Sequence, residues 1–362
     1  MTTGDLKQSP PSGEHRAAGK PDLRCVGLSP DFWYPLAPSR SLRRGTTLSA
    51  TFGGERIALY RAESGRVFAL EDRCAHRQVP LHKGIVCGEE LRCFYHGWRY
   101  HGSGRIASIP TLPDGVRPPI GVRAFPCREA YDHIFVFPGN PRRADDVLLP
   151  DLGLASSPRH RTMYFQRRVA CHYSFMHENL LDMSHQVMHR GVVGRIKPTL
   201  LSYQRGETWV EAKYRFEDGG GRRLLGAEFL SGDGVKSAAD SPGDIITIKT
   251  VYPYQTLSLA ASESAEPVFH LWAVYIPGDP EQKTNHSFGL LMIRKPKLPG
   301  LIYLLWPFIR RFAESTFAED RMAVEAEQRA HDQQGGDWNR EVLPLIHELR
   351  EVLVRNGVSL RP

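Results

Sequence analysis

Cys74-Ala75-His76 and Cys93-Phe94-Tyr95-His96 each offer one thiol and one imidazole, with sixteen residues between His76 and Cys93. Both groups bind transition metals once the thiol is deprotonated. Two cysteines and two histidines can hold a structural zinc, or a [2Fe–2S] cluster in which histidines replace two cysteines on one iron. Zinc fingers usually pair cysteine with cysteine and histidine with histidine. Here each segment carries one of each, which favours the iron–sulfur cluster. Replacing thiolates by imidazoles removes negative charge from that iron and raises its reduction potential. Such a cluster passes single electrons, so an acceptor must follow. The other cysteines, Cys25, Cys87, Cys127 and Cys171, lack metal spacing and read as small apolar residues.

Further along, the segment from Glu178 to Arg190 contains neither proline nor glycine, which predicts a helix over 178–190. On that helix positions 178, 182, 185 and 189 share one face. The face would carry Glu178, Asp182, His185 and His189, a costly set to bury without a purpose. Two histidines four apart on a helix can chelate one metal, and a nearby carboxylate can orient them.

Asp72-Arg73-Cys74-Ala75-His76-Arg77 and Cys93-Phe94-Tyr95-His96-Gly97-Trp98 resemble the two cluster loops of Rieske domains, with Gly84 and Gly88 where the chain must turn between them. With the downstream histidines added, the stretch from Trp33 to about Gln328 resembles the catalytic subunits of Rieske non-haem iron oxygenases. Its N-terminal half is closest to the monooxygenase branch, which includes demethylating monooxygenases and chlorophyll-breakdown oxygenases. The resemblance implies that Cys74, His76, Cys93 and His96 hold the cluster. It assigns His185 and His189 to a mononuclear Fe(II). Asp320, within Phe317-Ala318-Glu319-Asp320-Arg321, completes a two-histidine, one-carboxylate set that leaves positions open for O2. Asp182 matches the aspartate that bridges the cluster of one subunit to the iron of its neighbour. Three residues separate His185 from His189, where most relatives have four, and His177 is the rival histidine. Glu319, Glu325 and Glu327 are the rival carboxylates.

The implied activity is O2-dependent insertion of oxygen into an apolar substrate, by hydroxylation or oxidative demethylation. Electrons would come from NAD(P)H through a ferredoxin or flavin reductase, and the assembly would be a homotrimer. An aromatic-ring dihydroxylating dioxygenase is the alternative within the family. A Rieske electron-transfer protein is the alternative outside it, but it leaves the His185/His189 pair without a role.

The elements that must position these residues follow an α+β plan. Residues 1–28 are rich in serine, proline, glycine and charge and read as a disordered lead-in. Residues 29–140 read as an all-β cluster domain, with a hairpin from Ile57–Tyr60 and Val67–Leu70. Residues 141–160 read as a linker. Residues 161–362 form the catalytic domain, an antiparallel sheet with helices, helix-grip-like in plan. Its strand-like runs are 208–215, 224–230, 244–251, 257–262, 267–275 and 286–293, followed by helices at about 311–332 and 340–356.

The apolar run from Pro299 to Ile309 is too short to span a bilayer. It suits either a buried core helix or peripheral contact with a membrane, the latter implying a sterol- or terpenoid-like substrate. Apolar residues are 41% and charged residues 24% of the 362 residues, as in ordinary globular proteins. The net charge of +7 is scattered and comes without a nucleic-acid motif, so nucleic acid is not an expected partner. Around the cluster loops Arg73, Arg77, Lys83, Arg92 and Arg99 outnumber Glu89 and Glu90, a rim suited to an acidic redox partner. The N-terminus lacks a secretory pattern and six cysteines are too few for a disulfide scaffold, so a cytoplasmic setting is expected.

Overall fold

The computed structural model describes residues 22–113, 115–116, 118–218, 244–260 and 266–360. The N-terminal part is all β. Strands Thr47–Phe52, Glu55–Arg61, Val67–Glu71 and Ala124–Phe125 form one antiparallel sheet. Gly53 and Gly54, with φ of +54° and +82°, make the two-residue turn joining the first pair, a turn that needs positive φ at both positions. Tyr34–Pro38, Cys127–Ala130 and His133–Val136 form a second sheet, and Ile85–Cys87, Glu90–Arg92, Arg99–Tyr100 and Ile106–Ser108 a third.

Strand Glu55–Arg61 is buried on both faces, and its alternating side chains divide two cores. Ile57 and Leu59 join the large apolar core that continues into the C-terminal half. Ala58 and Tyr60 face a smaller core that also contains Cys74, Leu81, Leu91, Cys93 and Tyr100. Cys74 and Cys93 are therefore rooted in apolar packing.

The C-terminal half is built on a seven-stranded antiparallel sheet. In spatial order its strands are His160–Val169, Asn285–Arg294, Phe269–Pro277, Tyr254–Ala260, Asp244–Val251, Trp209–Asp218 and Ile196–Arg205. The helix Tyr173–Leu181 packs on this sheet and meets both the long helix Leu301–Gln334 and the C-terminal helix Pro344–Asn356. The α+β plan and its antiparallel sheet with helices are as expected.

Five expectations need correction or completion. The helix predicted over 178–190 stops at Leu181, because Asp182 takes an extended conformation (φ −86°, ψ 92°). A 3-10 turn over Met183–Val187 and a short helix over Arg190–Val193 follow. Residues 22–28, assigned to a disordered lead-in, are ordered: Val26 and Gly27 pair with Ser359 and Val358, and Arg24 is buried against Glu178 at 2.7 Å. The segment 141–160 carries 3-10 turns at Pro141–Arg143 and Gly153–Ser156 and buries Ala144 and Leu152 in the large core. Residues 224–230 lie outside the described residues. The apolar run 299–311 opens the long helix; Ile302 on its inner face is buried, while Leu304 and Phe308 on its outer face are exposed.

Candidate metal centres

The two N-terminal loops are built alike. In one, the Cys74 amide donates to the Val79 carbonyl and the Gln78 amide to the Cys74 carbonyl. In the other, the Cys93 amide donates to Trp98 and the Gly97 amide to Cys93. The same step in each loop has positive φ, +59° at Gln78 and +72° at Gly97. Each loop thus curls around its cysteine and then presents its histidine. Cys74 and Cys93 are buried, whereas His96 is exposed and His76 is half-buried. The histidine rings meet edge to face with centroids 4.5 Å apart, and Trp98 stacks on His76 at 4.8 Å and 2°. The buried Nδ1 of His76 has no hydrogen-bond partner, a costly arrangement unless a ligand takes it. A cluster held here would keep its sulfur-ligated iron inside and its histidine-ligated iron at the surface.

Two further side chains brace the loops. The Tyr100 hydroxyl lies 3.1 Å from Cys74 Sγ and accepts the Ala75 amide at 3.0 Å. Burial and the neighbouring Cys74 thiol raise the Tyr100 pKa, so it stays a donor. Buried Asp72 accepts the His82 amide at 2.8 Å and pairs with His82 Nδ1 at 2.6 Å. That contact ties the first loop to the 3-10 turn Leu81–Lys83.

The second centre joins residues far apart in sequence. His185 sits in the 3-10 turn, His189 caps the short helix, and Asp320 lies midway along the long helix. One donor atom from each lies within 4.8 Å of the other two. His189 Nε2 is 3.2 Å and His185 Nε2 3.6 Å from Asp320 Oδ1. The opposite nitrogens are fixed: His189 Nδ1 meets Glu319 Oε2 at 2.6 Å, and His185 Nδ1 meets the Asp182 carbonyl at 2.5 Å. Outer partners of this kind set the tautomer that leaves Nε2 free for a metal. Asn179 Nδ2 donates to Asp320 Oδ1 at 3.0 Å. The buried His189 Nε2 has no hydrogen-bond partner. Burial depresses the His189 pKa, but Asp320 and Glu319 outweigh it and leave the pKa raised. Two imidazoles and one carboxylate converging from one side fit a mononuclear iron with open positions.

Of the four residues expected on one helix face, His185 and His189 converge on Asp320 and the other two do not. Glu178 points away, pairing with Arg24 and Arg350. The Asp182 carboxylate is half-buried and accepts the Ser184 amide at 2.9 Å, while its carbonyl holds His185. His177 lies outside the triad, fully buried between Tyr173 and Tyr275, and burial pushes its pKa down to about 3. Among the rival carboxylates, Glu325 binds the Ala170 amide and Arg321. Glu327 is raised to about 7, mainly by burial and then by Glu178. Glu319 is the outer partner of His189. Asn179 and Tyr100 had no assigned role from sequence; Asn179 stands in the same run as Asp182 and His185, and Tyr100 offers no signal.

Two family models divide the chain. Residues 32–126 match the Rieske [2Fe-2S] domain, and residues 169–348 match the vanillate O-demethylase oxygenase C-terminal domain. The 4beta-methylsterol monooxygenase of Methylococcus capsulatus is 28% identical over 345 residues, covering 91% of this chain and 89% of the relative. The oxygenase component of dicamba O-demethylase from Stenotrophomonas maltophilia is 30% identical over 309 residues, covering 82% of this chain and 87% of the relative. A crystal structure of dicamba monooxygenase bound to 3,6-dichlorosalicylic acid superposes with a TM-score of 0.71, at 24% identity over 91% of this chain and 98% of that one. At that identity the superposition speaks for the fold.

Proposed function

The chain belongs to the Rieske non-haem iron oxygenases, and we propose that it hydroxylates or oxidatively demethylates an apolar polycyclic molecule of sterol or terpenoid type. The observation that carries an oxygenase over an electron carrier is the convergence of His185, His189 and Asp320 within 4.8 Å. When bound, the cluster supplies single electrons and the mononuclear iron supplies the site for O2 activation.

The chain's own residues have separable tasks in this reading. Cys74, His76, Cys93 and His96 hold the cluster, and Tyr100 donates to Cys74. His185, His189 and Asp320 hold the iron; Glu319 and the Asp182 carbonyl orient the rings, and Asn179 orients the carboxylate. Phe317, one turn before Asp320, packs against Phe165 with ring centroids 6.0 Å apart. That gives the iron an apolar neighbour suited to a hydrocarbon and to excluding water. The sterol class is supported by coverage: the methylsterol monooxygenase aligns along nearly its whole length.

The redox partner in this proposal is an acidic ferredoxin or a flavin reductase that docks on the rim holding Arg77 and Lys83, both exposed. Its reduction of the cluster should slow as ionic strength rises; a salt-independent rate removes the docking site. A homotrimer in a reducing, cytoplasmic setting completes the reading. Exposed Phe94 and Tyr95 beside the cluster loops, and exposed Val187 beside the iron ligands, are surfaces that a head-to-tail ring would cover.

The test begins with metal content. Anaerobically loaded protein should contain about three irons and two labile sulfides per chain. His189→Ala should lose one iron and keep the cluster absorbance. Methylsterols and aromatic methyl ethers are then supplied with NADH and a generic reductase. Sterol oxidation supports the substrate class, formaldehyde release from the ethers alone corrects it, and an iron content untouched by His189→Ala overturns the oxygenase reading.

A further inference from the structure

The inner face of the long helix Leu301–Gln334 is covered. Ile302, Trp306, Ile309 and Ala313 pack with Met163, Leu291 and Ile293 of the sheet. The outer face of its first turns is bare. Leu304 and Phe308 are each 71% exposed, Tyr303 62%, Phe312 42%, and Leu298, just before the helix, 65%. Leu304, Phe308 and Phe312 are spaced four apart, so they form one stripe along the helix. Single exposed apolar residues are ordinary, whereas a contiguous stripe marks a contact surface.

The charge around the stripe has one sign. Arg294, Lys295, Lys297, Arg310 and Arg311 lie between positions 294 and 313, where there is no aspartate or glutamate. Lys297, Arg310 and Arg311 are exposed. From the adjoining strand the Arg161 guanidinium lies over Tyr303 at 4.3 Å and over Trp306 at 4.4 Å. Among the described residues, the neighbouring Glu314 is paired with Arg167, and Glu266 with Arg159 at 3.1 Å. A second copy docking isologously would bring these cations against their equals. Anionic lipid headgroups complement them, and hydrocarbon receives the stripe.

We propose that the first turns of this helix lie in the plane of an anionic phospholipid surface. Leu304 and Phe308 enter the acyl boundary, and Lys297, Arg310 and Arg311 sit at headgroup level. No described helix is long and apolar enough to cross a membrane, so the contact is peripheral. Asp320 follows Phe308 by twelve residues on the same helix, about 18 Å along its axis. Docking therefore holds the iron ligands on the same helix as the inserted stripe, within reach of a lipid-dissolved substrate. Only this use, delivery of a membrane-dissolved substrate, rests on the substrate proposed above; docking is measured without turnover.

The experiment is co-sedimentation of the full-length, metal-loaded protein with phosphatidylcholine vesicles, with and without phosphatidylglycerol, at low and high salt. The wild type should bind the phosphatidylglycerol vesicles and be released by salt. Leu304→Asp/Phe308→Asp should lower the partition coefficient roughly tenfold or more, and Arg310→Glu/Arg311→Glu should abolish the preference for anionic lipid. Retained cluster absorbance certifies each variant's fold, and Phe308→Ser replaces the double variant if it fails that check. Absence of wild-type binding, or binding indifferent to Leu304 and Phe308, overturns the proposal. So does light scattering that shows the stripe holding copies of the chain together while vesicles are ignored.

Discussion

Replacing Tyr100 by phenylalanine removes a single hydroxyl from beside the Cys74 sulfur, 3.1 Å away. A hydrogen bond to a thiolate stabilises the reduced, more negative cluster, so its loss should lower the reduction potential. A net hydrogen-bond contribution of about 0.5–1.5 kcal/mol corresponds to roughly 20–60 mV for one electron, readable by redox titration of the cluster absorbance. An unchanged potential would mean that the hydroxyl serves only the Ala75 amide. At the other centre, the carboxylates that position His189 also hold its proton. Asp320 and Glu319 raise its pKa against the opposing effect of burial, and iron needs the neutral ring. Iron should therefore be retained above that raised pKa and lost as pH falls through it, measured as iron remaining after gel filtration at each pH. The metal-free protein should show the opposite trend in stability, measured by denaturation across pH. There the protonated ring contributes stability below its ordinary value of about 6.5, and that contribution disappears as pH rises through the raised value. Glu319→Gln keeps the size of the outer partner but weakens its hold on Nδ1, and should cost about 10- to 100-fold in iron affinity.

Local signals and long-range pairing were unequally legible among the elements. The mixed cysteine–histidine loops and the hairpin of Ile57–Tyr60 with Val67–Leu70 are local, and the sequence pattern locates them. The break at Asp182 is not visible in propensity, because its carboxylate caps the following turn and its carbonyl serves His185. This break brings His185 and His189 together beside Asp320 without a continuous helix. Strand His160–Val169 is missing from the expected strand-like runs; its partner Asn285–Arg294 is more than a hundred residues away, so nothing nearby announces it. Strand Ile196–Arg205 contains Pro198, which argues against a central strand, and the structure places it at the sheet edge, where proline is tolerated. Arg24 shows the same blindness to distance. It binds Ser174 Oγ at 2.6 Å and Glu178 at 2.7 Å and lies 3.6 Å over the Phe175 ring, anchoring the helix that carries Asn179. Arg24→Ala should destabilise the protein by about 3 kcal/mol, the lower end for breaking a buried pair, because Glu178 keeps Arg350. Chemical denaturation would measure this, and a change below roughly 1 kcal/mol would reduce the anchor to the rank of a surface pair.

For the whole molecule, the question is how two centres on one chain cooperate. The cluster loops rest on the smaller core, and the triad joins the turns that follow helix Tyr173–Leu181 to the long helix. Each carries exposed apolar side chains, Phe94 and Tyr95 at one and Val187 at the other. If those surfaces meet head to tail in a ring, the productive pair of centres belongs to two different chains, with the half-buried Asp182 at their boundary. Complementation distinguishes that arrangement from one confined within a chain. A Cys93→Ser chain lacks a working cluster, and a His189→Ala chain lacks the iron, so each alone should be inactive. In a randomly mixed ring, a neighbour pair works only when the donor is the His189→Ala chain and the acceptor is the Cys93→Ser chain. With equal amounts each condition holds half the time, so co-expression should restore roughly a quarter of wild-type turnover. Introducing Asp182→Ala into the Cys93→Ser partner should remove that restored turnover while iron and sulfide contents stay the same, because its backbone carbonyl still holds His185. Mixed assemblies with no activity despite verified co-assembly would place the productive pair inside one chain.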